Sequence, residues 1–206
     1  MKDTINFLIA GVGGQGIILA SDVLVNVGLA AGYQAKQAEV HGMSQRGGSV
    51  TSYVRWGKVV YSPLVGKGEV DVFLAFEKVE AMRYLTQLRS GALALINMET
   101  IMPVTVTTAG QTYPSDETLR NTISQVTNRV TYLDAAAIAV DLGNPRVANV
   151  ILLGALSELL EHQTGFGSGL PLDLWLNTLS ERVPLMYIDL NRSAFQAGRK
   201  EITSSA

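Results

Sequence analysis

The sequence contains no cysteine among its 206 residues. Disulfide bonds, thiol nucleophiles and cysteine-ligated iron–sulfur clusters are therefore excluded for this chain. Histidine is almost as scarce, since only His41 and His162 occur, and neither stands in an HExxH motif or a comparable carboxylate–histidine spacing. We therefore expect no zinc or iron site made by this chain, and we predict no metal ligand.

Charge and long apolar runs are also limited. The formal net charge is −2, which gives no bulk attraction toward nucleic acid or an anionic membrane. The apolar run within MKDTINFLIAG is too short for a signal peptide, and no run reaches the length of a membrane span. Hydrophobic residues make up 47% of the chain, enough for a sizeable core. We expect a cytoplasmic protein with one domain, two domains being the alternative.

Short apolar runs typical of buried strands alternate along the chain with segments whose apolar residues are spaced as in a helix. The predicted strands are residues 4–10, 33–38, 49–56, 70–76, 92–97 and 129–133. The predicted helices are 16–31, 78–88, one that begins at Ser115, and three that form a helical C-terminal part from about residue 145, namely 145–162, 172–182 and 191–200. Strands that alternate with helices predict a sheet covered on both faces.

A hairpin is predicted at Gly57-Lys58, with residues 59–61 as its return arm. This antiparallel element makes the sheet mixed rather than purely parallel. The predicted fold class is therefore α/β: a three-layer α/β/α structure with a mixed, mostly parallel sheet and a β-hairpin.

The first candidate site is a glycine-rich turn between a predicted strand and a predicted helix. Its candidate residues are Gly11, Gly13, Gly14, Gln15 and Gly16. The G-x-G-x-x-G spacing suits an anion held at a helix N-terminus. A dinucleotide site also needs an acidic residue about 20 residues further on. Residues 33–38 contain no acid, and the first one that follows is Glu39. A dinucleotide site, a tight packing turn and a role other than dinucleotide binding stay open, and the missing acid disfavours the first.

The second candidate site is the stretch HGMSQRGG, predicted to be a loop that begins at Glu39. Its candidate residues are His41, Ser44, Gln45, Arg46, Gly47 and Gly48. Arg46 can hold a phosphate or carboxylate in bidentate fashion, although a solvated surface charge is the alternative. His41 is expected to brace the loop through a hydrogen bond. Both loops are predicted to follow strand ends on one edge of the sheet, where α/β proteins bind ligands.

Several stretches together resemble one known family. GVGGQGI at 11–17, HGMSQRGGSVTSYVRWG at 41–57 and YSPLVGKGEVDVFLAFE at 61–77 resemble the gamma-type domain of 2-oxoacid:ferredoxin oxidoreductases. The spelling HGMSQRGG is most similar to the beta subunit of the indolepyruvate enzymes, and NVILLGAL at 149–156 and NRSAFQAGR at 191–199 also fit it. The resemblance covers nearly the whole chain and implies a single gamma-type domain over residues 1–206.

The resemblance implies a division of labour between subunits. The complex would decarboxylate an aryl pyruvate or another 2-oxoacid oxidatively to an acyl-CoA, with ferredoxin as the electron acceptor. Thiamine diphosphate, magnesium and [4Fe-4S] clusters would belong to a larger partner subunit, through which ferredoxin is reached. This chain would carry no catalytic residue or bound cofactor and would be inactive alone. It lacks cysteine, and it lacks a Gly-Asp-Gly motif followed by the asparagine that holds magnesium and diphosphate.

Some alternatives stay open. The glycine loops and Arg46 suit either the phosphates of CoA, the co-substrate, or an interface with the partner subunit. The chain could instead be a stand-alone dinucleotide-dependent oxidoreductase, or a nucleotide- or CoA-binding module. The sequence does not decide whether the isolated chain forms a homodimer. A leucine stripe is expected to be core rather than contact surface; it consists of Leu152, Leu153, Leu156, Leu159 and Leu160.

Overall fold

A six-stranded mixed sheet forms the centre of the structure. The structure is a computed structural model and describes residues 3–41, 48–102, 112–163 and 168–205, of which His41 and Ser205 are described by their backbone only. The strands are β1 (Thr4–Val12), β2 (Gln34–His41), β3 (Ser49–Gly57), β4 (Val70–Ala75), β5 (Leu88–Asn97) and β6 (Val130–Leu133). Their order is β2-β3-β1-β4-β5-β6. Among these six strands, β3 runs in one direction and the other five run in the opposite direction.

The prediction of a hairpin at Gly57 is wrong. Residues 59–61 form no strand, and β3 instead pairs with β2 on one side and with β1 on the other. A strand has only two hydrogen-bonding edges, so no edge of β3 is left for a return arm. β3 is antiparallel to both of these neighbours, and residues 39–41, predicted as loop, extend β2.

Helices cover both faces of the sheet. They are α1 (Ile17–Ala30), α2 (Lys78–Arg83), α3 (Asp116–Ser124), α4 (Ala135–Asp141), α5 (Ala148–Glu161), α6 (Leu172–Ser180) and α7 (Ile188–Ser205). The predicted start at Ser115 is confirmed, because its hydroxyl accepts a hydrogen bond from the Thr118 backbone N–H at 3.1 Å. The last helix begins at Ile188, three residues before the predicted start. Among the helices of the described residues, none has the length and hydrophobicity that a bilayer crossing requires.

Alternate residues of β1 supply two separate cores. Phe7 and Ile9 face a core shared with α1, α5, α6 and α7, whereas Leu8 and Ala10 face a core shared with α2 and α3. The predicted three-layer arrangement is confirmed. The leucine stripe of α5 lies in the first core, as expected from its apolar face.

Candidate functional site

The two glycine-rich loops are anchored at the same edge of the sheet. Val12 ends β1 and pairs with Ser49, the first residue of β3. The Gly13 backbone N–H donates to the Gly48 carbonyl at 2.9 Å, which joins one loop to the other directly. This edge carries the carboxyl ends of the parallel strands, as the sequence predicts for a ligand-binding edge.

Part of the second loop lies outside the described residues. Ser44, Gln45, Arg46 and Gly47 belong to this part. The backbone of His41 ends β2, but its side chain is not among those described. The structure therefore locates the ends of this loop, and the roles of its side chains stay predictions.

Two glycines of the first loop have a steric reason to be glycine. Gly16 has φ +80°, and a Cβ at this position would lie 2.3 Å from Asn149 Nδ2. A Cβ on Gly11 would lie 2.7 Å from Gln15 Oε1. Gly14 also has a positive φ, +106°. The turn therefore needs positive φ at Gly14 and Gly16, and close packing at Gly11 and Gly16.

Gln15 braces the glycine loop from inside. Its Oε1 accepts a hydrogen bond from the Val12 N–H at 2.7 Å. Its Nε2 donates to the Phe76 carbonyl and to Glu99 Oε2, each at 2.9 Å. Both ends of the amide are engaged by the protein itself, so Gln15 holds the loop in shape; its predicted role toward a ligand or partner stays a prediction.

Asn97 extends this hydrogen-bond network across the edge of the sheet. This buried side chain ends β5, and its Nδ2 donates to the Phe76 carbonyl at 3.0 Å. Its Oδ1 accepts from the Ala135 N–H at 3.0 Å, which caps the start of α4. One amide therefore fixes β4, β5 and α4 relative to the glycine loop.

A cleft of about 500 Å³ opens beside the glycine loop. It extends over the carboxyl ends of β1, β4 and β5 and reaches the start of α5. Sequence reasoning missed four polar residues that line it: Asn97, Glu99, Arg146 and Asn149. The available signal was a polar residue directly after an apolar strand, as at Asn97 and Glu99.

Charges of both signs border this cleft. The N-termini of α1 and α5 lie at its wall, and neither N-cap residue supplies a side-chain cap. The Val150 N–H of α5 is engaged by Asn149 Oδ1 at 2.9 Å, and the positive ends of the two helix dipoles favour an anion. Arg146 adds a positive charge, whereas the Glu99 carboxylate repels a phosphate placed beside it. The cleft therefore suits a ligand that presents an anionic group toward the helix ends and hydrogen-bond donors toward Glu99.

A buried acid lies under the exit of the second loop. Glu80 Oε2 accepts a hydrogen bond from the Ser49 hydroxyl at 2.5 Å, and Tyr84 OH lies 2.9 Å from the same hydroxyl. Burial raises the pKa of the Glu80 carboxyl above its ordinary value, although the Ser49 hydrogen bond and the charge of Arg83 oppose this shift. The cluster anchors Ser49 directly after the second loop.

Glu77 ties the start of α2 to neighbouring chain segments. Its carboxylate accepts hydrogen bonds from the Val79 and Glu80 N–H groups at 2.7 and 3.0 Å. It also accepts from the Ile101 N–H at 3.2 Å and from the Tyr113 hydroxyl. Burial and the hydrogen bond to Glu77 raise the pKa of Tyr113 far above its ordinary value, so this phenol stays protonated. These contacts assign Glu77 a structural role.

The described side chains form no cluster suited to a metal ion. No group of three or more His, Asp or Glu residues is arranged to hold a metal ion within the described ranges. An iron–sulfur cluster does not fit the chain at all, because its ligands are thiolates and the sequence has no cysteine.

Sequence comparison decides the family. The family model described as pyruvate ferredoxin/flavodoxin oxidoreductase matches residues 6–201. This chain belongs to that family. The chain is also 40% identical over 198 residues to the indolepyruvate oxidoreductase subunit IorB of Pyrococcus horikoshii, which covers 95% of this chain and 94% of the relative. The family predicted from the sequence is confirmed, and so is the predicted similarity to a subunit of the indolepyruvate enzymes.

Solved structures of the family share the fold. The gamma subunit of a keto/oxoacid ferredoxin oxidoreductase from Geobacter sulfurreducens matches with a TM-score of 0.69 at 23% identity, over 97% of this chain and 99% of that chain. The 2-oxoglutarate:ferredoxin oxidoreductase from Magnetococcus marinus, solved with 2-oxoglutarate, coenzyme A and succinyl-CoA bound, matches with a TM-score of 0.72 at 20% identity. That match covers 99% of this chain but 32% of the other, so the same fold also occurs there as one third of a longer polypeptide.

Proposed function

We propose that this chain is the accessory subunit of a 2-oxoacid:ferredoxin oxidoreductase that converts an aryl pyruvate, or another 2-oxoacid, to an acyl-CoA. The proposal is carried by the 40% identity to an indolepyruvate oxidoreductase subunit over nearly the whole of both chains. We also propose that residues 1–206 form one gamma-type domain in a cytoplasmic complex. The packing of α5, α6 and α7 into the same core as β1 supports the single domain.

The proposed chemistry requires a larger partner subunit. Oxidative decarboxylation releases carbon dioxide and two electrons, and each ferredoxin cluster accepts one electron at a time. We assign thiamine diphosphate, magnesium and the [4Fe-4S] clusters to the larger subunit, which also receives ferredoxin. The lack of cysteine in this chain supports the assignment. No catalytic residue is assigned to this chain.

Coenzyme A is the proposed ligand of the glycine-loop edge. Its diphosphate and ribose phosphate need cationic groups and backbone amides. Arg46 on the second loop supplies a guanidinium, while the turn at Gly14 and Gly16 opens the N-terminus of α1. Because Glu99 disfavours phosphate on its side of the cleft, we place the phosphates toward the second loop.

Co-expression with the candidate larger subunit tests the function. We expect the two-subunit complex to reduce a viologen dye when an aryl pyruvate and CoA are both supplied. The larger subunit alone should have at least about tenfold lower activity, because the CoA-binding edge is missing, and this chain alone should have none. Dye reduction followed spectrophotometrically, with each subunit and with both, is the measurement.

The other function classes make different predictions for the isolated chain. A stand-alone dinucleotide enzyme would bind NADH or a flavin stoichiometrically in a fluorescence titration. A lone CoA- or nucleotide-binding module would bind its ligand without retaining any partner in gel filtration. Either result would refute the accessory role if the larger subunit were also equally active with and without this chain.

Replacing Arg46 by alanine tests the CoA assignment. We expect the apparent KM for CoA to rise about tenfold, because one charge-assisted phosphate contact of roughly 1.5 kcal/mol is lost. The KM for the 2-oxoacid and the yield of complex should not change. Steady-state kinetics of the purified complex provide the measurement.

A Lys200→Ala variant is the control for the loss of one positive charge. Lys200 is exposed on α7, so its removal should leave all kinetic constants unchanged. If Arg46→Ala weakens assembly and leaves the KM for CoA unaltered, the loop is an interface element and the CoA assignment is wrong.

A further inference from the structure

One stretch that carries the family resemblance lies far from the glycine loops. Residues 58–69 follow β3, whose last residue, Gly57, pairs with Thr4 and Gln34, the first residues of β1 and β2. The segment therefore leaves the sheet at the edge opposite the glycine loops. Nine residues of β1 separate the two edges, about 26 Å at the usual rise of a strand. The 58–69 segment does not belong to the cleft, so its role has to be sought elsewhere.

Large apolar side chains of this segment face solvent. Tyr61 is 90% exposed, Leu64 is 70% exposed and Val59 is 50% exposed. Single exposed apolar residues are common on soluble proteins, but three within six residues form a patch of the kind found at protein interfaces.

Side chains from the sheet hold the segment in one conformation. Lys36 Nζ donates to the Tyr61 carbonyl at 3.0 Å, and Arg55 Nη1 donates to the Leu64 carbonyl at 3.2 Å. The Val60 N–H donates to Gln34 Oε1 at 2.8 Å. These hydrogen bonds fix the backbone that carries the exposed side chains. A partner that binds here meets an ordered surface and pays little entropy for ordering it.

The exposed charges on and beside the 58–69 segment have a small positive excess, three lysines against two acids. Lys36, Lys58 and Lys67 are exposed on or beside the segment, and Lys58 pairs with Asp3 at 3.1 Å. Glu69 is an exposed acid of the segment, and the buried Asp71 nearby pairs with Arg89. This local excess of lysine contrasts with the net charge of −2 for the whole chain, so the complementary surface has an apolar centre and an acidic rim.

A second exposed patch lacks these features. Leu185 and Met186 are 87% and 80% exposed, and they lie in a short turn that is closed locally by the Tyr187 N–H and the Pro184 carbonyl. Nothing in the structure indicates what covers this turn. It provides a matched control pair with similar exposure.

We propose that the 58–69 segment is the docking surface for the larger subunit, with Tyr61 and Leu64 as apolar anchors and the lysines opposite an acidic rim. The proposal rests on the proposed function, which requires such a subunit. The Pyrococcus horikoshii relative is named a subunit and matches over 94% of its own length, whereas in the Magnetococcus marinus chain the fold is part of a longer polypeptide. A separate polypeptide needs a noncovalent contact in place of the peptide linkage.

A double variant, Tyr61→Ser with Leu64→Ser, tests the docking surface. We expect its Kd for the larger subunit to rise at least about tenfold, since buried tyrosines are common interface anchors. The Leu185→Ser, Met186→Ser variant should bind like wild type. Affinity is measured by biolayer interferometry at two salt concentrations, and higher salt should weaken wild-type binding. Because all four side chains are exposed, we expect both variants to fold like wild type, and circular dichroism melts check this.

The outcomes separate this proposal from the proposed function. If wild type does not bind the larger subunit, the accessory role fails. If wild type binds and the Tyr61, Leu64 variant binds equally well, only the docking surface is wrong. If the isolated wild type is a dimer in sedimentation and this variant is a monomer, a second copy of the chain occupies the segment and the proposal is overturned.

Discussion

A Gly154→Val variant should lose at least about 3 kcal/mol of unfolding free energy, or fail to fold. Gly154 lies on α5 where it crosses α7, and a Cβ there would lie 1.9 Å from the Phe195 carbonyl oxygen. The contact is reciprocal, because a Cβ on Gly198 of α7 would lie 1.9 Å from the Ile151 carbonyl oxygen. Both obstacles are backbone atoms, so no rotamer change relieves the clash and the helices have to separate.

Urea denaturation followed by circular dichroism measures this loss. Gly143→Ala is a control for backbone strain without a clash, because Gly143 has φ +79° but open space around it. The control should cost about 1 kcal/mol through backbone strain alone. Equal losses for the two variants would mean that the α5–α7 crossing is not as close as the structure has it.

A Trp56→Ala variant should lose about 3–5 kcal/mol. Trp56 is fully buried on β3, and its ring lies 4.6 Å from Phe7 and 6.4 Å from Trp175. Its indole N–H donates to the Leu24 carbonyl of α1 at 3.0 Å. Truncation therefore opens a cavity between the sheet and its helical layer and removes a buried hydrogen bond.

Two comparisons check the cause of this effect. Trp56→Phe keeps most of the ring volume and should lose roughly 1–2 kcal/mol, mainly from the hydrogen bond. Tyr61→Ala removes an aromatic ring that is 90% exposed and should change the unfolding free energy by less than about 0.5 kcal/mol. A large loss at Tyr61 would contradict its exposed position.

The two ends of the parallel strands have different roles in the proposed complex, and we call them the carboxyl edge and the amino edge of the sheet. The carboxyl edge brings the glycine loops together, and Gln15 and Asn97 hold its shape through hydrogen bonds to one carbonyl, that of Phe76. The amino edge presents the 58–69 segment. Ligand binding and subunit docking can therefore be disrupted separately, which allows the variants at Arg46 and at Tyr61 and Leu64 to be interpreted independently.

The sequence by itself determined the fold class, the family and the location of the glycine turn. These features depend on local signals: apolar periodicity, the Ser115 cap, and a glycine spacing that only certain backbones tolerate. The ordered set of motifs then indicated the family, because several stretches at fixed separations matched together.

Tertiary structure alone decided how strands pair and which polar groups meet. The partner of β3 could not be predicted from residues 57–61, because pairing depends on which strand edges are left open after β1 and β2 are in place. Glu99 and Gln15 are 84 residues apart in sequence yet lie within 2.9 Å, and no local pattern encodes such a contact. Hydrogen bonds between distant residues form only after the hydrophobic layers have fixed the strand ends side by side.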